Sequence, residues 1–176
     1  MKKALVVIDL QKDFVDGSLG TPEAVSIVPA AAAVIRSFDG DDILVTYDTH
    51  RPDYFDTLEG KKLPVLHCQE GTPGHELDSE IRLALEGKDF VEFSKNSFGN
   101  FEVGTYLKDK YPGEDLEIDI IGLCTDICVV SNALILRTYY PDAIIRIHAG
   151  CCAGVTPETH QAALATMSCC QIDIVD

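Results

Sequence analysis

The chain has 176 residues, 46% hydrophobic and 24% charged, which suits one compact domain with a sizeable core and excludes disorder and collagen. Lys and Arg number 14 against 29 Asp and Glu, and the resulting net charge of −15 repels phosphate backbones and anionic lipid. Nucleic acid and membrane are therefore not expected partners; no apolar stretch approaches the ~20 residues of a bilayer span, and Lys2 and Lys3 run straight into strand-like sequence rather than a secretion signal, which points to the cytoplasm.

Taken in order, residues 4–8 form the first apolar, β-rich run. Residues 26–38 are Ala-rich, with Pro29 tolerable only in a first turn and Gly40 just past the end, so they read as a helix with a start and a stop. Residues 43–47 are a second strand. From 49 to 76 the rhythm breaks: three histidines, acidic residues and several Pro and Gly turn points show no sustained period. A loop this long inside a compact domain is usually functional or disordered, and its histidines favour function. Helices follow over 78–85, 102–109, 126–140 and 156–167, the last opened by Thr156 with Pro157 at the first helical position. Strands alternate with them over 90–93, 116–122, 143–148 and 172–175.

Unbroken apolarity at Leu5, Val6, Val7 and Ile8, and again at Ile118, Ile120 and Ile121, marks strands covered on both faces. Six strands alternating with five helices predict an α/β fold: a three-layer, doubly wound, mainly parallel six-stranded sheet with helices on both faces, Rossmann-like. No repeat, low-complexity tract or linker leaves room for a second domain, so 1–176 reads as one. The seven cysteines are odd in number and include two adjacent pairs, Cys151–Cys152 and Cys169–Cys170, which fits neither a disulfide framework nor a Cys-x-x-Cys zinc site. Most read as small buried hydrophobes in a reducing compartment.

Open α/β sheets bind ligands at the carboxyl ends of their strands. The first strand ends on Asp9, the second on Asp48 with His50, the third just before Lys95, and the fourth runs into Cys124-Thr125-Asp126-Ile127-Cys128 at a helix start. Singly, each has a bland reading: Asp9 as a turn former, Lys95 as a solvated loop charge, Cys128 as core. Jointly they describe chemistry. A thiol near a helix N-terminus and a cation is in the setting that lowers its pKa, and a carboxylate beside it can take the thiol proton and return it to a leaving amine. Asp48 and His50, two apart on an extended strand end, point to one side and suit a shared ion, with His67 arriving from the far end of the loop. Carboxylate and imidazole together suit zinc, with iron or manganese as alternatives. Asp13 and Asp126 read as turn or helix-start acids, and His75, His148 and His160 as structural or surface residues.

The segments Val7-Ile8-Asp9-Leu10-Gln11-Lys12-Asp13-Phe14, Phe93-Ser94-Lys95-Asn96-Ser97-Phe98 and Gly122-Leu123-Cys124-Thr125-Asp126-Ile127-Cys128-Val129 resemble, in order and spread along nearly the whole chain, the signature blocks of the isochorismatase-like cysteine hydrolases. Tyr47-Asp48-Thr49-His50 with Leu66-His67-Cys68-Gln69-Glu70-Gly71-Thr72-Pro73-Gly74 resembles the metal loop of the nicotinamidases within that superfamily. The resemblance implies a triad of Cys128 as nucleophile, Asp9 as proton shuttle and Lys95 as electrostatic partner. It also implies a cis peptide between Leu123 and Cys124, and an oxyanion hole from the backbone N–H groups of Cys124 and Cys128. Glu59 resembles a fourth ligand beside Asp48, His50 and His67 on one divalent ion. Gln11, Phe14 and Leu123 are the expected substrate-binding residues, Gln11 supporting the cleft by hydrogen bonding; with no Trp in the chain, Tyr47 and Tyr54 join Phe14 as its aromatic residues.

The implied activity is hydrolysis of nicotinamide to nicotinate and ammonia through a thioester, by an enzyme forming a homo-oligomer. Alternatives are a cysteine hydrolase of another small amide or a carbamoyl or ureido compound, an isochorismatase-type enol-ether hydrolase, and a non-enzymatic binding module. Cys128 and the metal loop speak against the enol-ether hydrolase. The presence of Asp9, Lys95 and Cys128 together speaks against the binding module.

Overall fold

The computed structural model describes residues 1–176. Six strands, β1 (Lys2–Ile8), β2 (Asp42–Asp48), β3 (Val91–Lys95), β4 (Leu116–Leu123), β5 (Ile144–Ala153) and β6 (Asp173–Val175), form one sheet in the order β3-β2-β1-β4-β5-β6. Every pairing is parallel. The helices are α1 (Lys12–Val15), α2 (Pro22–Ser37), α3 (Leu58–Lys62), α4 (Ser79–Leu85), α5 (Phe101–Lys110), α6 (Val130–Tyr139) and α7 (Pro157–Cys169). No helix is long and apolar enough to cross a membrane.

Side chains alternate across a strand, and here both sets are apolar, so the sheet must be covered twice. Leu5, Val7 and Ile121 pack with Ile27, Ala31 and Ile35 of α2 and Ile81 of α4 on one face. Val6, Ile8 and Ile120 pack with Leu107 of α5, Leu136 of α6 and Leu164 of α7 on the other. This is the expected three-layer arrangement. Strand order reverses beside β1, whose neighbours are β2 and β4, and such a reversal opens a crevice at the carboxyl ends. Gly122, at φ +132°, lies so close to the Ile8 carbonyl that a Cβ there would collide with it. Glycine thus keeps β1 and β4 together at the crevice.

Several boundaries differ from the sequence reading. Helix α2 begins at Pro22, where Thr21 caps it by accepting the Ala24 N–H, so Pro29 sits inside the helix rather than in its first turn. Strand β3 runs on to Lys95, and β5 runs on to Ala153 past an irregularity opposite Ile120 and Gly122. The helix expected from 126 instead opens with a π-helical turn, Thr125–Val129, and becomes α-helical at Val130. The region 49–76 holds α3 and two 3₁₀ turns, Tyr54–Asp56 and Pro73–His75, each too short for a hydrophobic period to register.

At the opposite, amino end of the sheet, the buried Asp42 accepts hydrogen bonds from Tyr111 Oη and Lys110 Nζ at 2.5 Å each and from Tyr106 Oη at 3.2 Å. It fastens α5 to β2, far from the crevice.

Candidate active site

Strand β1 ends as Asp9 adopts φ +46°, a left-handed conformation that Asp tolerates better than most residues, and the chain turns off the sheet. Its N–H still bonds the Thr46 carbonyl at 3.2 Å, and Thr46 Oγ1 donates to Asp9 Oδ1 at 2.6 Å. Lys95 closes β3 opposite Asp48 of β2. Its long side chain reaches across β2, bringing Nζ to 2.6 Å from Asp9 Oδ2, 3.6 Å from Asp48 Oδ1 and 3.4 Å from Cys128 Sγ. The approach to Asp9 is an ion pair with poor hydrogen-bond alignment, which leaves Asp9 Oδ2 without an aligned donor. All three triad side chains are buried.

Burial shapes the protonation of this cluster. Burial pushes the Asp9 pKa up; the Lys95 charge pulls against it, Asp48 adds to it, and the net direction is upward. Burial would lower Lys95, but Asp9, Cys128 and Asp48 outweigh it and hold the ammonium charged. Burial and then the Asp9 charge push Cys128 well above the ordinary thiol value, with Lys95 acting only in part against them. Burial and the Asp9 charge thus work in the opposite direction to the lowering expected from a helix start beside a cation.

The π-helical turn presents that thiol. The Cys124 carbonyl accepts from Ile127 and Val129 at 3.1 and 3.0 Å, passing over Cys128, and the Cys124 N–H has no hydrogen-bond partner in the protein. Asn132 Nδ2 donates to the Cys128 carbonyl at 2.8 Å and anchors the turn to α6. The Leu123–Cys124 peptide is cis.

Across the cleft, one ligand atom each from Asp48, His50 and His67 lie within 4.8 Å of one another, all three residues buried. Asp48 Oδ2 is 3.0 Å from His50 Nε2 and 3.4 Å from His67 Nε2, while Glu59 Oε1 of α3 stands 3.7 and 3.6 Å from the same nitrogens. His67 Nδ1 is 2.8 Å from the Val65 carbonyl, an arrangement that makes Nδ1 the donor and frees the Nε2 lone pair. His50 Nε2 is buried with no aligned hydrogen-bond partner, so these groups converge on a point more than they satisfy one another. A divalent ion fits that donor set.

Behind the cluster, the His50 N–H donates to the Cys68 carbonyl at 3.0 Å, and the Cys68 N–H donates to Asp13 Oδ2 at 2.8 Å. Asp13 thus ties α1 to the residue after His67, a role its place near a turn did not reveal. Gln11 does not line the cavity. Its Nε2 donates to the carbonyls of Asp48 and His75 at 2.9 and 2.8 Å and its Oε1 accepts from the Asp48 N–H at 2.8 Å, so it braces the site by hydrogen bonding. Tyr47 turns away to donate to Glu92 at 2.8 Å, and Tyr54 packs edge-on behind His50 and His67. His75 is 2.9 Å from Thr49 Oγ1, a structural contact.

Cys128 meets Asp48, His67 and Glu59 at one cavity of about 530 Å³, with Asp9, Lys95 and His50 set behind its wall. Phe14, Leu123, Cys124, Cys128, Asp48, His67 and Glu59 all line it, as does a set the sequence did not single out, including Leu19, Lys62, Leu63, Phe98 and Val155. None of these five side chains carries chemistry of its own, and only the fold brings them together.

Comparison with known proteins agrees with this architecture. The chain is 26% identical over 196 aligned residues to a nicotinamidase/pyrazinamidase of Mycobacterium tuberculosis, covering 98% of each protein. It superposes on the crystal structure of a nicotinamidase/pyrazinamidase from Bacillus subtilis with a TM-score of 0.84 at 27% identity, over the full length of both chains. A Pyrococcus horikoshii pyrazinamidase crystallised in complex with zinc gives 0.83 at 26% identity, over 100% of this chain and 99% of that one. The isochorismatase domain model matches residues 3–176, and with it the chain belongs to the isochorismatase domain family.

Proposed function

We propose that the protein is a cysteine amidohydrolase that converts nicotinamide to nicotinate and ammonia. The observation that carries this reading is the meeting of Lys95 Nζ with both Cys128 Sγ at 3.4 Å and Asp9 Oδ2 at 2.6 Å, behind a cavity that Cys128 shares with Asp48 and His67 of the Asp48, His50 and His67 cluster. Names of the Mycobacterium and Bacillus relatives support the substrate.

In the first half-reaction the Cys128 thiol transfers its proton to Asp9 as sulfur bonds to the carboxamide carbon. Asp9 is suited to this because burial raises its proton affinity toward that of a general base, while the Lys95 charge pulls the other way and favours the carboxylate. Charge developing on the carbonyl oxygen is met by the N–H groups of Cys124 and Cys128, the first of which is otherwise unpartnered. Asp9 then gives the proton to the leaving nitrogen; the C–N bond breaks, ammonia departs and a thioester remains on Cys128. Water enters, gives a proton to Asp9 and attacks the thioester carbon. The C–S bond breaks, nicotinate forms, and the proton returns to sulfur. Asp48, His50, His67 and Glu59 would hold a divalent ion, zinc first and iron or manganese as alternatives, supplying a Lewis-acid contact for the ring nitrogen or a water bonded to it. Phe14 and Leu123 form apolar walls for the ring. The reading includes a cytoplasmic role in pyridine-nucleotide salvage, carried out by residues 1–176 as one domain.

Ammonia release from nicotinamide, measured against a panel of other small amides and ureido compounds before and after chelation, tests the proposal. Turnover of nicotinamide that is lost with chelator and absent in Cys128→Ala is the expected result. Chelator-insensitive turnover of a different amide, with nicotinamide untouched, would assign another substrate class.

A further inference from the structure

The cavity is larger than its proposed substrate. A single six-membered ring occupies a cavity of about 150 Å³ and a water about 30 Å³. A pyridine carboxamide with an ion and a few waters therefore leaves on the order of 200 Å³ of the 530 Å³ unfilled. The unfilled part lies outward, because the triad and the metal cluster are buried.

Exposed apolar side chains stand around that outer part, beside the exposed polar Lys62, Asn96 and Ser97. Leu58 and Leu63 from the two ends of α3, Phe98 from the loop after β3 and Val155 before α7 all line the cavity, and they are 71%, 38%, 47% and 52% exposed. Singly exposed apolar residues need no explanation, but four converging on one cavity from three segments do. Two of them are also held in place. The Val155 N–H is shared between Asp126 Oδ1 and Oδ2 at 3.1 and 3.2 Å, and the Leu63 carbonyl accepts from Tyr54 Oη at 2.8 Å. Tyr54 in turn packs against His50 and His67, so the rim is braced by the same residues that support the inner site. A fixed apolar collar around a half-filled cavity is complementary to an apolar group on the ligand.

We infer that the site selects aromatic carboxamides bearing an apolar substituent on the ring edge away from the carboxamide, received by Leu58, Leu63, Phe98 and Val155. This rests on the amidohydrolase reading above and narrows its substrate class. Burying a three-carbon chain there raises kcat/KM by at least about tenfold, mostly through KM, since each buried methylene adds affinity and a half-open rim realises part of it.

The test uses the metal-loaded enzyme with nicotinamide and with nicotinamides carrying a propyl or a carboxylate group at ring position 5 or 6. The expected result is that one propyl isomer exceeds nicotinamide by at least about tenfold in kcat/KM, and that Leu63→Ser and Val155→Ser each shrink this ratio toward one. Propyl compounds no better than nicotinamide would overturn the inference while leaving the amidohydrolase reading intact. Preference for the carboxylate isomers would overturn it in favour of recognition by the nearby Lys62. If no pyridine carboxamide is hydrolysed, the activity reading fails, and the collar is still tested by protection of Cys128 from iodoacetamide. The propyl compounds must then protect at about tenfold lower concentration than nicotinamide, and equal protection refutes the collar.

Discussion

In the proposed mechanism Cys128, Asp9 and Lys95 divide one job by protonation state, and the division explains why a thiol with a raised pKa is useful. A proton that leaves sulfur only as the carbon bond forms needs a base at hand, and the raised pKa of Asp9 makes it that base. The Lys95 charge opposes that rise, so Lys95→Met raises the Asp9 pKa further. The acidic limb of kcat/KM moves to higher pH, and at neutral pH activity falls by about 10² or more; a pH–rate profile of the variant measures both. Cys128→Ala abolishes turnover, whereas Cys151→Ala and Cys169→Ala retain it, because neither lines the cavity; ammonia release separates them. The triad was legible because a parallel sheet gathers strand ends, and the residue types at those ends are chemically loud. The protonation of Cys128 was not legible, since it depends on burial and on the distance to Asp9, residues far apart in sequence.

Among the elements, α2 and α7 open on the same tripeptide, Thr21-Pro22-Glu23 and Thr156-Pro157-Glu158, and each Thr caps its helix by accepting an N–H three residues on. The second signal was read and the first was missed, because Pro29 drew the start of α2 to itself. Inside the helix Pro29 gives the Val25 carbonyl no donor. Pro29→Ala restores that bond at an exposed position, and a gain of about 1–3 kcal/mol follows from helix propensity. It is read as a rise in Tm of ~2–4 °C for each kcal/mol. The 49–76 region depends on different forces. Its short turns are tied by Asp13, Gln11 and the converging ligands more than by a core of their own. Chelation therefore speeds hydrogen exchange at residues 54–68 while β1 and β4 stay protected, as exchange mass spectrometry of metal-loaded and stripped protein will register.

For the whole molecule, a net charge of −15 on a chain of this size works against compactness. Screening relieves it, so Tm rises by a few degrees between ~0.01 and ~0.3 M salt, over which the Debye length falls from about 30 Å to below 10 Å; a differential scanning series measures the rise. The parallel sheet between two helical layers follows from continuous apolar strands with helices between them, and that much the sequence carried. The cavity rim did not, because Leu63, Phe98 and Val155 carry no chemistry and meet only when three connections fold over one crevice. Opening that crevice had its own difficulty: β1 leaves the sheet at Asp9 while β2 runs on to Asp48, which strands the amide and carbonyl of Asp48 without a neighbour. Gln11 answers both with its carboxamide, one atom donating and the other accepting, as a peptide unit of β1 would have done. A side chain thus impersonates the departed backbone. The gap at the crevice is made by exchanging one amide for another, and the Asp48 carboxylate stands on a strand end as firmly seated as if the sheet had never parted.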